Sequence, residues 1–249
     1  MIFSDPPRTA YDLHFSVLGI PVRVHPLFWF VAFLLGMRGD PKPAEIITWV
    51  GVVFVSILVH ELGHALSARA CGWEPWITLH GFGGLASYRP SYHSPRNQIL
   101  ITFAGPGAGF LFAGLILAFI AASGHRIVIG WPETIMPVDF DRYASRNLNL
   151  LLLYLLYVNI FWGLLNLLPI YPLDGGQISQ EVFKLVNPRD GVRLSLWLSV
   201  FVAAGCGILV WTRLHDGLLA LFCGYMAYTS YTTLQAYSGG GGGHWGGFR

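Results

Sequence analysis

Charge is what this sequence has least of. Only 11% of its 249 residues are Asp, Glu, Lys or Arg, against about 25% in an average soluble domain, which excludes an ordinary water-solvated globule. Nor is there an excess of one sign. Fifteen Lys and Arg face 13 Asp and Glu for a net charge of +2, too balanced for a nucleic-acid partner, whose phosphates need a basic face to neutralise them. Cysteine is scarce too: Cys71, Cys206 and Cys223 are an odd number with no short spacing, which excludes a complete disulfide framework, a zinc ribbon or a redox pair. The start, MIFSDPPRTAYDLHF, lacks the basic residues and apolar run of a cleavable leader, so residue 1 is expected to remain in the mature protein. No long-period repeat or second folded domain is visible.

What is abundant is apolar sequence, 54% of the chain. A helix crossing a hydrocarbon core needs about 20 apolar residues, and about six candidate stretches are found near 24–37, 45–69, 99–122, 148–168, 194–212 and 218–231. The fold expected is therefore an all-α polytopic membrane protein of about six transmembrane helices. Between the second and third stretches, ITLHGFGGLASYRP mixes β-branched residues with a glycine cluster and reads as a short re-entrant β-like segment. In the third stretch Pro106 is expected to kink or restart the helix. Residues 1–237 form the expected membrane core, and 238–249, SGGGGGHWGGFR, a flexible glycine-rich tail. Six crossings put Arg8, Arg23, Arg69, Arg89, Arg96, Lys184, Arg189, Arg193 and Arg249 on one side and Arg38, Lys42, Arg126, Arg142, Arg146 and Arg213 on the other. Nine against six favours both termini in the cytosol.

Chemistry enters at His60-Glu61-Leu62-Gly63-His64. Histidines four apart on a helix project from one face and can bind one zinc ion, with the intervening glutamate placed to take a proton from a water at the metal. An ionisable residue at the centre of a membrane helix costs roughly 2.5 to 3.5 kcal/mol on insertion scales, so three such residues in a run of Val, Ile and Leu point to function. A catalytic zinc normally has three protein ligands. The third candidate is Asp174, in Pro172-Leu-Asp174-Gly175-Gly176 just after the fourth apolar stretch, where the glycines are expected to let the backbone turn. The bland alternative is an exposed Asp-Gly-Gly turn. With a cytosolic N-terminus, the second and fourth helices both run toward the cytosol, so His60, His64 and Asp174 converge near that face. His60 then lies some ~15 Å inside its helix end at 1.5 Å per residue.

HELGH in one membrane helix, LDGG after a later one, and Asn166 and Pro169 upstream of it resemble the site-2 protease family of intramembrane zinc metalloproteases. GIPVRVHP before the first helix, GFGG after the metal helix and FAGPG in the third match as well. The resemblance implies one catalytic zinc held by His60, His64 and Asp174, Glu61 as general base, and transmembrane proteins as substrates. It places Asn166 where a side-chain amide binds substrate backbone or steadies an oxyanion, the alternative being a helix–helix hydrogen bond. It also implies that the GFGG segment offers a strand edge to an unwound substrate, the alternative being a simple interfacial hairpin. One position departs: relatives often carry Asn where this chain has Gly109. No peptide-binding or nucleotide-binding domain of the kind that some relatives add is expected in this sequence.

The function expected is thus intramembrane hydrolysis of peptide bonds by zinc-activated water in a bilayer-embedded protein. A non-proteolytic membrane metal carrier or scaffold is the alternative. His25, His80, His93, His125, His215 and His244 are left outside the metal set, the last five as solvated or locally bonded side chains; the natural substrate and oligomeric state are not legible.

Overall fold

The computed structural model describes residues 6–37, 39, 41–81, 83–92, 94–129 and 138–239. The chain falls into two compact units, one of residues 1–91 and 104–163, the other of 92–103 and 164–249.

The first unit begins with two strands the apolar-run reading does not separate, β1 (Leu13–Val17) and β2 (Ile20–Val24). They form an antiparallel hairpin whose two turn residues, Leu18 and Gly19, both have positive φ, 51° and 76°. Two-residue hairpins need that backbone to match strand twist, and only the second position carries the residue that adopts it freely. Ion pairing fastens the hairpin: Arg23 donates to Asp12 at 3.0 Å and to the Pro6 carbonyl at 2.9 Å.

Helix α1 (Pro26–Gly36) follows. His25 caps it, its Nδ1 accepting from the Leu27 amide at 3.1 Å, which gives this histidine a structural role. Helix α2 (Pro43–Ala70) carries HELGH and starts at a proline, with the Glu45 carboxylate accepting from the Lys42 amide. The segment expected to be β-like is a hairpin of β3 (Pro75–His80) and β4 (Gly83–Tyr88). Sheet order is β1-β2-β3-β4, with β2 and β3 parallel. Ile20, Val22, Val24, Ile77 and Leu79 pack against Phe28 and Ala32 of α1 and Val53, Ile57 and Ala65 of α2, so the sheet lies along the helix that holds the histidines.

Helix α3 (Pro95–Ala122) passes through Pro106 unbroken, so no restart occurs; membrane helices tolerate the lost amide where neighbours supply partners. Helix α4 (Arg146–Asn166) packs Leu152 and Leu156 against Ala113, Ile116 and Ile120 of α3. A short ribbon, β5 (Ile127–Ile129) with β6 (Val138–Phe140), joins them.

The second unit contains a helix absent from the sequence reading, α5 (Asp174–Val186). It is amphipathic, and Glu181 is buried in an ion pair with Lys184 at 2.8 Å. Helix α6 (Gly191–Leu209) continues through a π turn to Leu214, and α7 (Gly217–Gly239) packs back on it. The tail beyond residue 239 lies outside the described residues, so the boundary expected at 238 is not addressed there.

Among the described residues, four helices are long and apolar enough to cross a membrane: α2, α3, α4, and α6 with its π turn. At 11 residues α1 extends only about 16 Å, and the second half of α7 is diluted by Thr, Ser and Tyr.

Candidate metal centre

Four residues apart on α2, the rings of His60 and His64 meet on one face, centroids 4.8 Å apart and nearly perpendicular at 77°. Their Nε2 atoms are 3.1 Å apart. Two nitrogens bound tetrahedrally to one zinc at 2.0–2.1 Å lie about 3.3 Å from each other, so the observed spacing suits a shared ion. Both rings and the Glu61 side chain between them are buried.

Glycines make this face possible. A Cβ on Gly105 of α3 would overlap Nε2 and Cε1 of His64, and one on Gly84 of β4 would overlap the Glu61 carboxylate. The FAGPG and GFGG segments thus share a purpose the sequence reading did not assign: each brings bare backbone against a chemically active side chain. The signal was present in the glycines, but which ring or carboxylate they face depends on long-range packing.

Asp174 is the first residue of α5, not part of an exposed turn, and it is buried. The glycines after it do not bend the chain. Gly175 and Gly176 are helical, and any Cβ there would strike backbone of Leu167 and Ile170. His60 and His64 belong to the first unit and Asp174 to the second, and all three are buried. Two imidazoles and a carboxylate are a donor set of catalytic zinc. Asn166, the last residue of α4, is buried as well.

Among the other histidines, His80 closes β3 and is buried, where a solvated or locally bonded loop side chain had been expected. His125 is locally bonded, stacked on Tyr143 with centroids 3.7 Å apart. His93 and His244 lie outside the described residues.

The profile of peptidase family M50 matches residues 48–204, which include both histidines, Glu61 and Asp174. The chain belongs to peptidase family M50. Among its relatives, the Synechocystis sp. protein sll0528 is 31% identical over 218 residues, 78% of this chain and 52% of the relative. Zinc metalloprotease MJ0392 of Methanocaldococcus jannaschii is 28% identical over 172 residues, 68% of this chain and 44% of the relative. The chain therefore spans about half the length of these curated relatives. Its fold is similar to that of the site-2 protease from Methanocaldococcus jannaschii, with a TM-score of 0.56 and 22% identity over 89% of this chain and 94% of that one.

Proposed function

We propose that this family M50 chain is an intramembrane zinc metalloprotease that hydrolyses peptide bonds in or near transmembrane segments of other membrane proteins, with Glu61 as general base. The observation that carries the reading is the buried pair of His60 and His64 with Glu61 between them on a helix long enough to span, with Asp174 as the third ligand in this reading.

A zinc ion held by these three residues supplies Lewis acidity toward a peptide carbonyl and lowers the pKa of a water to about 7. Glu61 accepts the proton of the attacking water on a carboxylate oxygen and returns it to the amide nitrogen as the C–N bond breaks. Gly84 lets β4 run beside that carboxylate. As the last strand in the sheet order, β4 offers an edge to which an unwound substrate adds as a further strand, bringing its scissile bond to Glu61. The Asn166 amide donates to the substrate backbone or to the oxyanion.

In this reading α1 and α7 complete six crossings, both termini are cytosolic, and the centre sits below the cytosolic surface. Nine basic residues against six support that orientation. Residues 1–237 form the catalytic core.

The test is incubation of the lipid-reconstituted protein with candidate single-span membrane proteins, mapping new termini by mass spectrometry. Glu61→Gln is expected to lose at least the 10²–10⁴-fold typical of a general base while keeping zinc and fold. Undiminished cleavage by Glu61→Gln removes the assigned base. Zinc binding with no cleavage of any substrate by the wild type favours the carrier or scaffold reading.

A further inference from the structure

Asn159 of α4 is a buried amide deep in a helix that is otherwise almost wholly apolar around it. Its nitrogen donates to Ser56 Oγ of α2 at 2.9 Å and to the Leu155 carbonyl of its own helix at 2.8 Å. Those two acceptors fix which end of the amide points where, because a flipped amide would set oxygen against the Leu155 oxygen. The amide oxygen, Oδ1, is buried and has no hydrogen-bond partner. A buried acceptor of that kind is costly unless something satisfies it.

What Oδ1 faces is Gly109 of α3. A Cβ placed on Gly109 would stand 3.6 Å from both Oδ1 and the Asn159 carbonyl oxygen, ordinary contact without overlap. Packing therefore does not require glycine here, unlike Gly105 one turn earlier. The absence of a side chain leaves space directly against two oxygen acceptors. Ser56 in turn precedes His60 by four residues on α2, and residues at that spacing share a helix face about 5–6 Å apart.

We infer that Asn159 Oδ1, with Ser56 and the bare backbone at Gly109, holds a buried water one helical turn from His60, as a station supplying water to the metal centre. A hydrolase consumes one water per bond cleaved, and a buried centre needs polar way-stations to receive it. Buried waters are found where two to four polar groups converge; here the unpaired amide oxygen and the Asn159 main-chain carbonyl border the same space at Gly109, and the Ser56 hydroxyl is bonded to the other end of that amide. The supply role rests on the hydrolytic reading above, whereas the water site itself does not.

The experiment compares the full chain in lipid, as wild type, Gly109→Ala and Gly109→Asn, in structures at a resolution that shows ordered waters and in thermal melts. Wild type is expected to show a solvent peak within hydrogen-bond distance of Oδ1. Gly109→Ala removes it and lowers Tm although alanine is the better helix former. Gly109→Asn replaces it with an amide N–H and keeps or raises Tm. A wild-type map without that peak, or Gly109→Ala raising Tm as in a dry helix contact, overturns the site. In turnover of a cleaved substrate, Gly109→Asn is expected to lower kcat about threefold to tenfold, the equivalent of one hydrogen bond, with KM and zinc content unchanged. Unchanged kcat overturns the supply role even where the water is seen. A wild type that cleaves nothing yet shows the peak refutes the hydrolytic reading and leaves the site standing.

Discussion

Replacing Gly105 by alanine adds one methyl group, and its consequences can be followed from geometry to zinc. The added Cβ lands on Nε2 and Cε1 of His64. Real Cβ atoms stay beyond 3.0 Å of other heavy atoms, so either α3 or the imidazole must shift by several tenths of an ångström or more. A zinc ligand tolerates only about ±0.2 Å. Distortions that merely re-aim a ligand through its surroundings cost about 10–100-fold in metal affinity, or about 1.4–2.8 kcal/mol, and direct displacement of the ring should cost at least that. Helix propensity works the other way, since alanine in a helix interior is favoured over glycine by about 1 kcal/mol. The expected result is therefore a weaker zinc site in a chain that still folds. The assay is chelator competition for zinc, with thermal unfolding of the metal-free protein as the control for fold. Gly114→Ala provides the comparison on the same helix: nothing lies within 4 Å of its Cβ, so zinc affinity should not change. Wild-type zinc affinity in Gly105→Ala would refute the assignment of His64 as a ligand packed on α3.

Further outcomes follow from other residues. Asp174→Ala should drop metal content well below about one zinc per chain, measured by elemental analysis; full occupancy would identify a different third ligand. His25→Ala should destabilise α1 by about 0.5–2 kcal/mol through loss of the cap, read from denaturant unfolding, without altering zinc content. Asp12 lies outside the membrane helices, and hydrogen bonds from Thr9, then the Arg23 guanidinium, lower its pKa from 3.8 to about 2. Its contribution is thus complete above pH 4 and is lost as pH falls from there through 2. Protection of the β1–β2 hairpin against proteolysis should fade across that window, and Asp12→Asn should flatten the dependence.

The apolar helices were legible because long apolar runs stand out in sequence, and every such stretch ends within a few residues of a helix, except α7, which runs eight residues farther. HELGH was legible because its chemistry is local: both histidines and the glutamate sit within five residues of one helix. Asp174 required an argument about topology, and its true setting as the first residue of α5 escaped because DGGQISQEVFKLV is too polar for a span and too short to stand out. The β1–β2 hairpin was hidden by its turn, since Leu18 gives no sign of a positive φ. Gly84 and Gly105 were visible as glycines, yet their service to Glu61 and His64 belongs to packing between elements far apart in the chain. His80 illustrates the same limit from the other side, reading as a loop residue while lying buried at the end of β3.

The central claim is a zinc ion held by two imidazoles and one carboxylate on a membrane-embedded helix bundle. Zinc X-ray absorption of the purified, lipid-reconstituted protein tests it most directly. The account predicts a first shell of nitrogen and oxygen at about 2.0–2.2 Å with the outer-shell scattering of two imidazoles. A sulfur shell at about 2.3 Å, or no imidazole scattering in a zinc-loaded sample, would contradict it.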